Sequence, residues 1–157
     1  MKFRALMLAD YAVVRDGLLF VVGGGVKVVF PSTLPAPLPI SVAGLVEVEE
    51  SEFNEDGGAN LNIRVRISRK GKRPIVVARG LVAARPRPDM SPHVLGIPFA
   101  IDLRLVSVST ETEHFIHVQA GTLTAKVPFE VVIQVQELPP GWLEEQPPGP
   151  KVEVPSV

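Results

Sequence analysis

Acidic side chains in two predicted connections come nearest, by type and spacing, to a ligand site. Asp10 and Asp16 flank the first connection, and the second contains Glu52, Asn54 and Asp56. Carboxylate and amide oxygens are the groups that Ca²⁺ binds, about six to eight at a time. If both connections lie at one end of the fold, they could hold calcium or a carbohydrate. Their spacing matches no defined calcium loop, and a solvated acidic loop is the simpler interpretation.

The three histidines do not form a metal motif. His114 and His117 are three residues apart, so on a strand they point to opposite faces and cannot close on one metal ion. His93 lies in a long loop, where it could join Asp89 only in an enzyme site assembled from distant loops. There is no Gly-x-Ser-x-Gly elbow and no phosphate-loop spacing. The sequence therefore favours a protein without catalytic residues, cofactor or metal.

The C-terminal segment has a different composition from the rest of the chain. Residues 139–157 are rich in proline and contain Trp142, the only tryptophan, next to Leu143. Val152 and Val154 could add a short strand to an exposed sheet edge. Aromatic anchors on extended arms are common contact points. We expect an arm that binds a protein partner or a second copy, or that folds back on its own domain.

A run of basic residues raises the question of nucleic acid. The run consists of Arg64, Arg66, Arg69, Lys70, Lys72 and Arg73. Sixteen basic and seventeen acidic side chains leave a net charge of −1, so no global field attracts a polyanion. If the two neighbouring strands pair as a hairpin, Glu47 and Glu49 lie opposite Arg64 and Arg66. We therefore expect ion pairs here and no strong nucleic-acid signal.

The elements that must position these residues are strands. In residues 60–68 every second side chain is apolar, which places one face in a core and the other in water. The pattern recurs along the chain and predicts strands at 3–9, 18–22, 26–30, 40–49, 60–68, 75–84, 99–109, 113–124 and 127–138, with a bulge near Leu105.

Glycine and proline separate the predicted strands. Gly23, Gly24 and Gly25 interrupt one strand and predict a sharp bend at which the chain changes sheet or another backbone comes close. Residues 31–39 contain four prolines and predict an extended crossover. Because no helical crossovers intervene, we predict an all-β fold, a single antiparallel β-sandwich of about seven to nine strands, immunoglobulin-like or jelly-roll in type.

Length and composition are consistent with one domain and an arm. The chain has 157 residues, 46% of them hydrophobic, and we assign residues 1–138 to the sandwich and 139–157 to the arm. The absence of cysteine fits a reducing cytoplasm. Asp10 and Arg15 interrupt an N-terminal run that would otherwise resemble a secretion signal, and no run is long enough for a membrane helix.

The N-terminal residues also carry a resemblance. Leu8-Ala9-Asp10-Tyr11-Ala12, then Gly17-Leu18-Leu19 and the three glycines, resemble the opening of a family of small uncharacterised bacterial proteins. Val26 replaces an aromatic residue of that pattern, and Leu18 a lysine. The match covers about the first 45 residues. It implies an all-β fold and supplies no activity and no site residues.

The sequence thus predicts a non-enzymatic structural or protein-interaction module with a C-terminal contact arm and possible self-association. The alternative is a carbohydrate- or calcium-binding sandwich that uses the acidic loops.

Overall fold

A computed structural model describes residues 1–85 and 93–134. These residues contain one turn of 3₁₀ helix, Glu50–Glu52, and eleven strands: β1 (Lys2–Arg15), β2 (Leu18–Gly24), β3 (Val28–Val29), β4 (Ala36–Pro37), β5 (Ser41–Glu49), β6 (Ala59–Arg69), β7 (Ile75–Ala84), β8 (Val94–Asp102), β9 (Ser107–Val108), β10 (Glu113–Ala120) and β11 (Leu123–Val131). The predicted all-β class is confirmed.

The strands form two main sheets. The first sheet has the order β2-β1-β5-β8, and the second has the order β3-β11-β10-β6-β7, while β4 and β9 make a small two-stranded sheet. All pairings are antiparallel except that of β3 with β11, which is parallel. The predicted sandwich of antiparallel sheets is confirmed.

The core lies between the inner faces of the two sheets. From β6, the alternate residues Leu61, Ile63 and Val65 are buried. They belong to the same core cluster as Val46 of β5 and Phe99 of β8. The period-two pattern of the sequence therefore separates an inner face from an outer face on each strand, and the outer faces are the surfaces available for function.

The glycine cluster is the point at which the chain leaves the first sheet. β2 ends at Gly24, and β3 begins at Val28 in the second sheet, as the sequence predicts. Gly23 has φ of +61°, and a Cβ atom there would lie 1.9 Å from a carboxylate oxygen of Asp10. Glycine is the residue that tolerates both the positive φ and the lack of space for a Cβ. The group that comes close is the side chain of Asp10, whereas the sequence suggested another stretch of backbone.

The predicted connection from Asp10 to Gly17 is wrong, because β1 continues to Arg15. A two-residue turn follows, with positive φ at both Asp16 (51°) and Gly17 (74°). Positive φ at both positions is what a type I′ turn requires, and that turn matches the twist of a hairpin. The first hairpin is consequently much longer than the sequence suggests.

The predicted hairpin of β5 with β6 is also wrong, since the two strands lie in different sheets. Glu47 instead binds two cations of the neighbouring β1, Lys2 at 3.0 Å and Arg4 at 2.5 Å. The hydrogen bond from Lys2 makes the largest contribution to lowering the pKa of Glu47, and Arg4 lowers it further. The expected ion pairs of Glu47 and Glu49 with Arg64 and Arg66 do not form.

Two further boundaries differ from the sequence prediction. The predicted strand 99–109, with its bulge near Leu105, is instead two strands, β8 and β9, joined by a loop. Leu105 lies in that loop and is fully exposed. β10 and β11 meet at a tight turn, so the predicted strand 113–124 ends at Ala120 and the following strand covers Leu123–Val131. The predicted arm, residues 139–157, lies outside the described residues.

Gly44 of β5 leaves room for an aromatic ring in the core. A Cβ at this position would lie 2.2 Å from Cζ of Phe99, the residue paired with it on β8. We expect Gly44→Ala to reduce the free energy of unfolding by about 1–3 kcal/mol through overpacking. Gly80→Ala is the matched control, because nothing lies within 4 Å of a Cβ there. Urea denaturation of both variants measures the difference, and equal stabilities would contradict the packing argument.

Candidate functional site

The predicted acidic ligand residues do not converge. Asp16 is in the turn after β1, whereas Glu52 forms an ion pair with the amino group of Met1 at the opposite end of that strand. A strand of this length spans roughly 40 Å, at about 3.3 Å per residue. Asp10 lies between the two ends, beside Gly23. The structure therefore separates the residues that a shared calcium or sugar site would need to bring together.

The residues of the second acidic loop make contacts within the fold. Glu52 also accepts a hydrogen bond from the backbone N–H of Glu49 at 3.1 Å, and Asp56 accepts one from Arg85 at 2.7 Å. The backbone carbonyl of Asn54 accepts the N–H of Gly57. Among residues 1–85 and 93–134, no three acidic or histidine side chains are grouped so that they could hold a metal ion.

The histidines lie in three different environments. His114 is buried, and its Nδ1–H donates to the carbonyl of Thr112 at 2.9 Å. His117 lies on the opposite face of β10, as predicted. His93 contacts the exposed Glu50 at 2.8 Å, and Asp89, with which the sequence could have associated it, is outside the described residues. The described histidines therefore do not share a site.

The four predicted interaction residues, Trp142, Leu143, Val152 and Val154, all lie outside the described residues. Their role as a contact arm stays a prediction from sequence.

The outer face of the first sheet is largely apolar on all four strands, although Ala9 and Ala43 within it are 0% exposed. Cross-strand pairing fixes its members, which we call the apolar face: Met7, Ala9, Tyr11, Val13, Leu18, Phe20, Val22, Ala43, Leu45, Pro98 and Ala100. The side chains of β2 are the most accessible, with Leu18 61%, Phe20 49% and Val22 62% exposed. Antiparallel sheets that face water on one side usually carry polar residues there, so this face is unusual.

Charged residues lie at the ends of the apolar face. At one end Glu47 pairs with Lys2 and with Arg4. At the other end Arg15 lies opposite Leu18, and Asp102 of β8 binds Arg104 through Nη2 at 2.5 Å. This pairing lowers the pKa of Asp102. The apolar centre of this face is therefore bordered by charged residues, most of which are paired within the chain.

The outer face of the second sheet is polar and positively charged. Arg64 of β6 lies directly opposite Arg79 of β7, and in the adjacent row Arg66 is followed by His117 of β10 and Lys126 of β11. We call these five residues the basic face. The ion pairs of the described part of the chain include none of its four arginine and lysine side chains.

His117 is held by neighbours on this face. Its Nε2 lies 2.8 Å from the hydroxyl oxygen of Ser68. Burial lowers its pKa, and the positive charges of Lys126 and Arg66 lower it further. Lys126 lies 3.4 Å above the ring of Phe115. At neutral pH the ring of His117 is therefore an uncharged hydrogen-bonding group among cations.

A groove separates the two sheets along one side. β2 pairs only with residues 9–15 of β1, and β3 pairs only with Glu130 and Val131 of β11, so the remaining parts of β1 and β11 face each other across a cavity of 680 Å³. Leu8, Val127 and Phe129 line it. The sandwich is therefore open on this side.

The chain matches no protein-family model, no curated protein and no solved structure. In the part of the chain that the structure describes, no helix is long and apolar enough to cross a membrane. The function must consequently be argued from the two outer faces.

Sequence reasoning missed both faces for definable reasons. Residues 5–14 of β1 are apolar except for Asp10, and such a run does not show which side faces solvent. Arg79 and Lys126 are far from Arg64 in sequence and join it only through strand pairing. The sequence did contain one indication of the apolar face. Polar and apolar residues alternate strictly in β6, whereas β1 and β8 contain consecutive apolar residues and so have apolar side chains on both faces.

The charge of Lys126 provides a test of the basic face. Because a cation disfavours protonation of a neighbouring imidazole, Lys126→Gln should raise the pKa of His117. NMR titration of the histidine side-chain resonances measures it. Lys72→Gln removes the same charge from the β6–β7 turn and should leave the pKa of His117 unchanged. Equal shifts in both variants would contradict the local origin of the effect.

The lowered pKa of His117 also determines whether its contribution to the free energy of unfolding rises or falls with pH. An unfolded histidine has a pKa near 6.5, above that of His117 in the folded chain. Between the two values the unfolded state binds more protons, so His117 makes the protein less stable as pH falls below about 6.5.

Proposed function

We propose that the protein is a non-enzymatic β-sandwich interaction module that self-associates by packing the apolar face of one copy against that of another. The observation that carries this proposal is the continuous apolar outer surface of the first sheet. Two such sheets can stack about 10 Å apart with their side chains interdigitating, as in the interior of a sandwich. The assembly would then contain two sandwiches joined through their first sheets.

The size of the apolar face supports an interface of modest strength. Four strands at about 4.8 Å spacing and some 20 Å of strand length give roughly 400 Å² per copy. Contiguous apolar patches of several hundred Å² often mark interaction sites, while a standard interface buries about 800 Å² per partner. We therefore expect a dimer with a dissociation constant in the micromolar range, on the order of 1–100 µM.

The orientation of the side chains favours stacking of faces over pairing of edges. β2 is an edge strand without charge or proline, and such edges can pair with another chain. However, Leu18, Phe20 and Val22 all project from the same outer face. Edge pairing would leave these side chains in water, whereas stacking of the faces would bury them.

A second copy is the occupant that best fits this surface. Among the cross-strand neighbours of the apolar face the one charged residue is Arg15, opposite Leu18 at the hairpin end, so the rest of the face requires no matched charge on a partner. In an isologous dimer the same patch is used twice, so a flat surface of one chemical character is automatically complementary. The arm of residues 139–157, with Trp142 and Leu143, is proposed as a second contact element on sequence grounds.

Aspartate in the centre of the apolar face should abolish the dimer. In Val22→Asp and in Phe20→Asp, whose cross-strand neighbours on β1 are Tyr11 and Val13, stacking would bury a carboxylate with no cation opposite it, and the dissociation constant should rise at least tenfold. Light scattering of the full chain between about 1 and 200 µM, a range that brackets the expected constant, measures this change.

Leu81→Asp is the matched control. Leu81 is 63% exposed, nearly the same as Val22 at 62%, but it lies on β7 of the second sheet. This variant should dimerise like the original chain. Loss of the dimer in the control as well would overturn the proposal, and so would a protein that is monomeric over the whole concentration range both as the full chain and after truncation at Leu138.

Truncation after Leu138 distinguishes the contribution of the arm to dimerisation from that of the apolar face. If the truncated chain still dimerises and Phe20→Asp still prevents it, the face is sufficient. A full chain that is monomeric and a truncated chain that dimerises would show that the arm covers the face in cis.

The alternative of a carbohydrate- or calcium-binding sandwich has no support from the geometry, because its loops lie far apart. The resemblance to small bacterial all-β proteins and the cytoplasmic location remain proposals from sequence. Neither affects the test of the apolar face.

A further inference from the structure

The positive charge of the second sheet is concentrated in two adjacent rows. One row contains Arg79 and Arg64, followed by Gln119 and Thr124, and the next contains Arg66, His117 and Lys126. Four neighbouring strands span about 14 Å, and the rows are about 7 Å apart along the strands. The rows therefore form a strip of hydrogen-bond donors across the sheet.

The acidic residues of this outer face lie away from the strip. Glu113 and Glu130 are paired with each other two rows beyond His117 and Lys126, about 13 Å along the strands. Glu113 is also in contact with Lys70 at 3.5 Å. The strip thus retains its charge although the whole chain has a net charge of −1.

Two features of the strip are unfavourable for the folded chain alone. Arg64 and Arg79 are direct cross-strand neighbours, and like charges in such pairs are destabilising. In addition, Nε of Arg66 is buried without a hydrogen-bond partner. A buried donor that lacks a partner costs free energy, which a bound acceptor would recover.

The surface beside these cations is concave. One depression of 590 Å³ is lined by Asn62, Arg64, Arg79 and Gln119. A second depression, of 360 Å³, is lined by Arg66, His117 and Lys126 together with Thr124. Charged groups and neutral donors therefore surround the same two spaces, as they would around anions.

We propose that the basic face binds a linear polyanion whose phosphate groups extend over both depressions. Arginine guanidinium groups donate two parallel hydrogen bonds to phosphate oxygens, and lysine adds a point charge. Phe115 is covered by Lys126, so the face contacts the phosphates instead of stacking on bases. Inorganic tripolyphosphate and the backbone of an oligonucleotide share this chemistry.

Calorimetry with tripolyphosphate and with a pentamer of deoxythymidine tests the proposal. We expect binding of at least one probe at 50 mM salt that weakens as salt increases, because counterions are released from the polyanion. Arg64→Gln/Arg66→Gln should weaken binding at least tenfold and reduce the salt dependence. Lys72→Gln removes a cation from the β6–β7 turn and should change affinity less than twofold.

The two probes distinguish the sources of phosphate. Binding of tripolyphosphate with equal or greater affinity would identify a small polyphosphate-bearing ligand, and preference for the oligonucleotide would identify a nucleic-acid backbone. If neither probe binds, or if Lys72→Gln weakens binding as much as the double variant, the proposal is wrong. Thermal denaturation confirms that the double variant is folded.

His117 gives a readout that a general charge effect would not produce. A phosphate bound beside it favours the imidazolium form, so its pKa should rise in the presence of the bound probe. The NMR resonances of His93, at the exposed contact with Glu50, serve as the internal control. An unchanged His117 pKa at saturation would place the anion elsewhere and overturn the assignment.

Discussion

The burial of one face of β6 against the first sheet is the constraint on which the other features depend. Leu61, Ile63, Val65 and Ile67 must all point inward, and the side chains between them must then point outward. A shift of one residue would bury Arg64 and Arg66 and expose the core. Since β6 is paired on both sides, its register also determines the register of β7 and β10, and so the composition of the basic face.

The separation of β5 from β6 explains why the two outer faces differ so much. If these strands were paired in one sheet, the glutamates of β5 would neutralise the arginines of β6. Because β5 belongs to the first sheet, Glu47 pairs with Lys2 and Arg4 of β1. One outer face is consequently apolar with paired charges at its ends, and the other retains cations without acidic neighbours in the described structure.

The sequence predicted the parts of the fold that depend on local pattern. The alternation of residues 60–68 predicted β6 and its inward face, and the three glycines predicted a bend, for which a change of sheet was one of two interpretations. The predicted β5–β6 hairpin was wrong because consecutive strands are neighbours only about two-thirds of the time. Of the charges that suggested it, Glu47 pairs with Lys2 and Arg4, which are remote in sequence, and the two arginines are in none of the described ion pairs. Both candidate faces depend on pairing between distant strands, which no local pattern encodes.

The two proposed surfaces are compatible because they lie on opposite sides of the sandwich. Stacking through the first sheets would leave the second sheets on the outside, so a dimer would present two basic faces directed away from each other. A short anion could then occupy only one face at a time, and its affinity would not change on dimerisation. A polyanion long enough to reach around the assembly could bind both faces, and the second contact would become intramolecular. Dimerisation would in that case select for length of the polyanion without any new contact to it.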